Sequence, residues 1–153
     1  MTQPVFDAEV VYQALFDLTA SLTVPITGDP FPSRVRRVMA FSDLPEQPAI
    51  CQAEHDETVT EVTKMLPKTT LGAAWLIYHR AGADTSPDVT PATTSNAILQ
   101  QIRALFPQGD NDLPQTLGGL VQKAVISGRI IKEHGDLDGQ ALLIVPLRIT
   151  VPI

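Results

Sequence analysis

The sequence holds a single cysteine, Cys51, so neither an internal disulfide nor a cysteine-based zinc cluster can form. No apolar run approaches the ~20 residues of a membrane-spanning helix. Residues 1–9 lack the basic and apolar regions of a secretory leader, so we expect folding in a reducing cytoplasm. Charge is scarce: Asp, Glu, Lys and Arg make up 18% of the 153 residues, against about 25% in a typical domain. Basic residues number only 11 and the formal net charge is −6. They are scattered apart from Arg34, Arg36 and Arg37, which disfavours a free-standing nucleic-acid binder. Low charge fits either a surface that is covered in the working state or a compact monomer with a Thr/Gln-rich exterior. Composition leaves both readings open.

Hydrophobic residues, by contrast, reach 44%. A chain of this length exposes roughly 24,000 Å² unfolded and roughly 7,600 Å² folded, enough to bury a core as one domain. Residues 7–22 place Ala8, Val11, Leu15, Leu18 and Leu22 on one helical stripe, with Asp7 and Glu9 at the positive end of the dipole. Pro25 and the Gly28-Asp29-Pro30 turn end that helix. Residues 34–40 read as a strand, and 42–48 as a proline-containing loop. Residues 49–53 and 58–62 read as two short strands around a polar turn at 55–57. Residues 69–80 are apolar on both sides, as in a central strand covered on both faces. Residues 81–90 offer nothing to bury and read as a loop excursion. Thr90 and Pro91 then start a second helix that carries Ile98, Leu99, Ile102, Leu105 and Phe106 and stops at Pro107 and Gly109. Residues 110–114 form a polar connection. Residues 120–132 and 140–151 are β again, flanking a turn at 134–139. Pro146 removes a ladder donor from the last strand, which predicts an edge or bulge position there. The expected fold is α+β: one domain, a mainly antiparallel sheet, and two principal helices on one face.

The residues that carry chemistry do not converge. Cys51 and His55 lie four apart, but four residues along a strand span ~13 Å, too far for a nucleophile and its base. A buried thiol acting as a small apolar group is the better reading. Glu54, His55, Asp56, Glu57 and Glu61 lack a rigid ligand spacing and read as a solvated turn. Asp136 and Asp138 resemble only a fragment of a calcium loop. Leu117-Gly118-Gly119-Leu120 lacks the phosphate-loop pattern and leads into a strand, so its glycines serve a turn or bulge. Arg34 and Arg36 share one strand face and Arg37 takes the other, the ordinary pattern of a half-exposed strand. No catalytic, cofactor or metal set emerges.

Three strings together carry a resemblance: Gln115-Thr116-Leu117-Gly118-Gly119-Leu120-Val121 with Val125-Ile126-Ser127-Gly128 after it; the 36–48 stretch ending Glu46-Gln47-Pro48; and Ser95-Asn96-Ala97-Ile98-Leu99 leading to Ala104-Leu105-Phe106-Pro107. Taken in their order along the chain, and over most of its length, they resemble the tail-terminator (minor tail protein U-like, tail-completion) proteins of long-tailed phages and prophages. The resemblance implies a structural, non-enzymatic protein with no cofactor. It implies a sixfold ring on the head-proximal end of the tail tube, in contact with the tube protein and the head-completion protein. DNA would pass through the lumen without specific binding, and an acidic chain suits that passage because it repels phosphate. The expected location is the virion, after assembly in the bacterial host cytoplasm and without a membrane. The loops expected to meet partners carry Phe41 and Asp43, Asp84 and Asp88, and Leu117 and Gly118. Alternatives are another neck or head-completion protein of the virion, a small enzyme using Cys51, or an adaptor that does not oligomerise.

Overall fold

The computed structural model describes residues 6–25, 27–44, 46–61, 68–80, 92–109, 113–134 and 139–151. Among them are two α-helices, α1 (Ala8–Asp17) and α2 (Ala92–Leu105). Six strands accompany them: β1 (Ser33–Val35), β2 (Ala49–Thr60), β3 (Lys68–Arg80), β4 (Lys123–Ile126), β5 (Ile131–Glu133) and β6 (Gln140–Val151). They form one sheet in the order β1-β2-β3-β6-β4, with β5 also paired to β6. Every pairing is antiparallel except β1 with β2. The α+β expectation therefore holds, with the helices on one face of the sheet.

Alternation explains the layering. Leu71, Ala73, Trp75 and Ile77 of β3 and Leu143, Val145, Leu147 and Ile149 of β6 point to one face and join a single buried cluster. Val11, Tyr12 and Leu15 of α1 and Ile98, Leu99 and Ile102 of α2 close that cluster from above. Asp7 caps α1, its carboxylate accepting from the Glu9 amide at 2.9 Å. A turn of 3₁₀ helix, Leu18–Ser21, carries the stripe on to Leu22, so the helical reading of 7–22 stands. On the opposite face a smaller cluster of Leu44, Ala49 and Cys51 packs with Val35, Met39, Leu76 and Tyr78. The segment after β1 thus covers part of the second face, as the two-sided apolar pattern of β3 predicted.

Trp75 is fully buried, and its ring lies 5.4 Å from that of Phe106. Its indole N–H cannot reach water and donates to Gln52 Oε1 at 3.0 Å. The Gln52 amide donates in turn to the Tyr12 carbonyl at 3.0 Å, and the Tyr12 hydroxyl donates to the Gly72 carbonyl at 2.9 Å. One buried polar chain thus ties α1 to β2 and β3.

Four local expectations need correction. The strand expected over 34–40 ends at Val35; Arg36 turns toward α1, where carboxylates hold it. The two strands expected at 49–53 and 58–62 are one strand, β2, continuous through 55–57. The register shifts between Glu54 and Glu57, so a bulge absorbs the polar residues that read as a turn. The strand expected over 120–132 is split into β4 and β5. Finally, of the two positions expected for Pro146, an edge or a bulge, the edge is excluded, because β6 runs between β3 and the β4/β5 pair, while the irregularity falls on the outer strand opposite it. The Pro146 carbonyl accepts from Ser127 N at 3.0 Å. In an antiparallel strand a residue's N and O point the same way, so the missing N–H faces the outer strand. The outer strand breaks there, at 127–130. Gly128 crosses the break with φ +126°, and a Cβ on it would stand 3.1 Å from Pro146 Cγ. Proline and glycine together divide β4 from β5.

Replacing Gln52 by Leu leaves the Trp75 indole N–H buried without an acceptor. We expect a loss of about 1–3 kcal/mol in urea denaturation; a loss below ~0.5 kcal/mol would show that this chain of hydrogen bonds stabilises nothing.

Candidate functional site

The glycine-rich string turns out to be a joint. Leu117, Gly118 and Gly119 all take positive φ, at 52°, 74° and 91°. Glycine accepts this freely; Leu117 tolerates it because its side chain is anchored in the main core. The flanking polar residues hold the turn. Gln115 donates to the Leu105 carbonyl at the end of α2 (2.9 Å), and its Oε1 accepts from Leu117 N (3.1 Å). The Gln115 carbonyl accepts from Ala124 N of β4 (2.8 Å). Thr116 accepts from Gly119 N through both its carbonyl and its hydroxyl. The string therefore locks the C-terminal end of α2 to β4.

The arginine cluster is also architectural. Arg36 forms a fork between Glu9 of α1 and Glu54 of β2, with Gln13 accepting a further bond. Hydrogen bonds donated to Glu54 and then to Glu9 raise the guanidinium pKa, and the same contact lowers that of the Glu9 carboxyl. Arg34 donates to the Thr19 hydroxyl at 3.2 Å and lies 5.2 Å over the Phe16 ring. Arg34 and Arg36 both reach toward α1 and its 3₁₀ continuation, but Arg36 lies past the end of β1, so the shared strand face read for them is not formed. Both are engaged within the chain, which leaves no free arginine pair for phosphate.

Cys51 is fully buried in the second-face cluster, while His55 is exposed farther along the same strand. Burial pushes the Cys51 thiol up, away from the reactive thiolate. Glu54, His55, Asp56 and Glu57 lie on the exposed half of β2, with Glu61 just past its end. Among the described residues no group of three or more His, Cys, Asp or Glu side chains could hold a metal ion. Asp136 and Asp138 lie outside the described residues.

One pair escaped the sequence reading. His79 of β3 and Ser95 of α2 meet in the core, Nε2 to Oγ at 2.7 Å, with 2% and 0% exposure. A signal was present, since His79 continues the inward series Trp75, Ile77 and Ser95 stands three residues before Ile98 on the helix stripe. His134 follows β5, whose Glu133 pairs with Leu142; the next rung is Ala141, the partner of His79. Both histidines thus flank Ala141. Burial lowers the His79 pKa, and His134 opposes its charging further. Nε2 meets Ser95 while Nδ1 is buried without a hydrogen-bond partner, and among the described residues no carboxylate pairs with the imidazole, so the pair reads as a helix-to-sheet contact.

The residues expected in partner loops fall at two ends of the sheet. Phe41 is half-buried, set edge-on to Tyr78 at 5.8 Å with the Arg80 guanidinium 5.6 Å over its ring, and Asp43 beside it is exposed. Leu117 is buried, whereas Gly118 is exposed at the tip of its turn. Tyr78 pairs with Leu142; Gln122, after the glycine turn, donates to Thr150. These rungs are eight steps apart along β6, about 26 Å. Asp84 and Asp88, with the rest of 81–90 and the helix start at Thr90 and Pro91, lie outside the described residues. No helix among the described residues is long and apolar enough to cross a membrane.

Comparison with models of protein families and with curated proteins gives no match.

Two outcomes follow. The Cys51 thiol stays unreactive toward an aromatic disulfide reagent in native protein and reacts fully in denaturant; fast native labelling would refute its burial. Because His79 is held neutral when folded while the unfolded chain protonates near pH 6.5, the unfolded state binds more protons below that pH. Stability should fall as pH drops from about 6.5 toward 5. A His79→Gln variant should show a shallower decline in denaturation curves over that window, and an equal slope would refute the assignment.

Proposed function

We propose that the chain is the structural subunit of a tail-terminator ring. The ring caps the head-proximal end of a long-tailed phage's tail tube, stops tube polymerisation and presents a surface to the head-completion protein. A tube grows by stacking rings whose exposed faces are alike. A terminator needs one face that accepts a tube ring and another that does not. The observation that carries this reading is the separation of two unlike loop sets, 41–44 and 117–120, at opposite ends of one sheet. A subunit standing with its strands along the tube would offer one set toward the tube and the other toward the head.

The chemistry agrees with an assembly role. The glycine-rich string that led to this family acts as a joint between α2 and β4, where altered residues would change shape rather than reactivity. The thiol is sealed, and the arginines hold α1 to the sheet. No bond has to be made or broken. A net charge of −6 suits a channel through which duplex DNA slides without being held. On this reading the protein ends in the virion, after assembly in the host cytoplasm.

Deletion of the gene should give tubes of uncontrolled length, or tails that fail to join heads, while heads still fill with DNA. Purified protein added back should restore joining without nucleotide, metal or turnover. Electron microscopy of lysates checks this, and normal tails joined to heads in the absence of the protein would overturn it.

A further inference from the structure

Folding gathers onto one sheet face basic residues that are scattered in the sequence. Leu71 of β3, Ile149 of β6 and Ala124 of β4 point into the main core. Thr70 and Gly72, Arg148 and Thr150, and Lys123 and Val125 therefore point to the opposite face. Thr58 pairs with Thr70, Thr70 with Thr150, and Thr150 with Lys123, which sets all four on one rung. The next rung inward runs from the bulge after Glu54 through Gly72 and Arg148 to Val125. On the outer side Thr60 pairs with Lys68. Together these rungs carry Lys68, Lys123, Arg148 and four threonines, against one carboxylate, Asp56, in the bulge two strands from Arg148. The apolar cluster of Leu44, Ala49 and Cys51 covers the same face only toward its other end.

Lys68, Lys123 and Arg148 are exposed and make no ion pair among the described residues. The hydroxyls of Thr58, Thr60, Thr70 and Thr150 make no hydrogen bond among them either. Lys123 and Arg148 are diagonal neighbours on adjacent strands, about 8 Å apart at Cα. Like charges so placed repel unless an anion comes between them. With Ser127 and Gln108 they line a hollow of about 370 Å³ that has no carboxylate among its described lining residues. Acid collects on the other side of the sheet. Asp7, Glu9 and Asp17 belong to α1 or its cap, and Glu54 and Glu57 share the core face with their partners Ala73 and Leu71. The subunit is thus layered in charge, which turns an approaching polyanion away from the helices and toward this end of the sheet.

We infer that this face binds the phosphate backbone of duplex DNA without reading its sequence, through Lys68, Lys123 and Arg148 and the threonine row between them. Lysine, arginine and threonine are the side chains that contact phosphate oxygens. A protein partner would need an apolar or aromatic anchor at the centre of the patch. Val125, half-buried, is the one apolar side chain these rungs offer there, and no aromatic ring stands among them. A flat sheet face also presents nothing that enters a groove, so base edges go unread. Three cations per copy give weak, salt-sensitive contact, which guides a duplex and lets it slide. A single copy carries the whole face, so the inference goes beyond the ring reading and does not need it.

The test titrates the full chain into two short labelled duplexes of unrelated sequence and reads fluorescence anisotropy. Both duplexes should bind alike. Binding should weaken about 40-fold between about 50 and about 200 mM salt, a slope of about −2.7 for three phosphate contacts. The pair Lys123→Gln and Arg148→Gln should weaken binding about tenfold and cut the slope to about −0.9. The pair Arg103→Gln and Lys132→Gln removes the same charge from the helix side and should leave binding unchanged. All four side chains are exposed, and circular dichroism checks that both forms fold. Amide NMR on wild type needs no variant: added duplex should shift the signals of Thr58, Thr70, Thr150 and Ser127. No wild-type binding at about 100 µM protein and low salt would overturn the inference. Equal loss in both pairs, or NMR shifts confined to the helices, would also overturn it. Polyglutamate that displaces the duplex at equal charge concentration would assign the face to an acidic protein and overturn it too. The terminator reading is decided by tube length and head joining, so either can fail alone.

Discussion

The Trp75 indole sits with no exposed surface between the sheet and α2, and its N–H must find an acceptor inside the core. An unpaired donor there would cost more than most single contacts return. Gln52 supplies the acceptor and passes its own amide protons to the Tyr12 carbonyl of α1 and to Glu54. Glu54 is in turn held by Arg36, which also reaches Glu9. A single buried requirement therefore propagates outward from core amide to helix backbone to surface ion pair. It sets where α1 lies on β2 and why the chain leaves β1 after Val35.

A second constraint works on the opposite side. β6 carries Pro146 in mid-sheet, a position ordinarily closed to proline because the ladder loses a bond. The outer strand yields at that point, with Gly128 filling the space beside the ring, and divides into β4 and β5. The joint at Gln115–Val121 then carries the chain from α2 into β4. The two sheet edges are thus built differently. One is a long, bulged, acidic strand; the other is two short basic segments with a hollow beside them. That asymmetry gives the functional proposal its physical content, since a head-to-tail assembly needs two unlike surfaces on one subunit.

Periodicity carried much of the fold. The stripe Val11, Leu15, Leu22, the two-sided run over β3 and the alternation Ala141 to Val151 could be read directly, because burial repeats at 3.6 or 2 residues and leaves its mark in the residue types. The buried, inert state of Cys51 was legible for the same reason. Other features were not. Polar residues at 55–57 look like a turn whether they close a hairpin or ride a bulge on an open edge. Proline in a strand predicts a lost bond, but not whether the sheet ends there or the neighbouring strand gives way.

What the sequence determined by itself, then, was the class of fold, the composition of its core and the placement of charge along the chain. Those are properties of single residues and of their local period. Tertiary structure alone decided which residues became partners. It brought Ser95 to His79, spent Arg36 on Glu9 and Glu54, and divided Phe41 and Asp43 from Leu117 and Gly118 by the length of a strand. It also set Thr58 and Lys123, 65 positions apart in the chain, on one rung of the sheet. Strand order and register are set by pairings between distant segments, and no local window of sequence contains both halves of such a pairing.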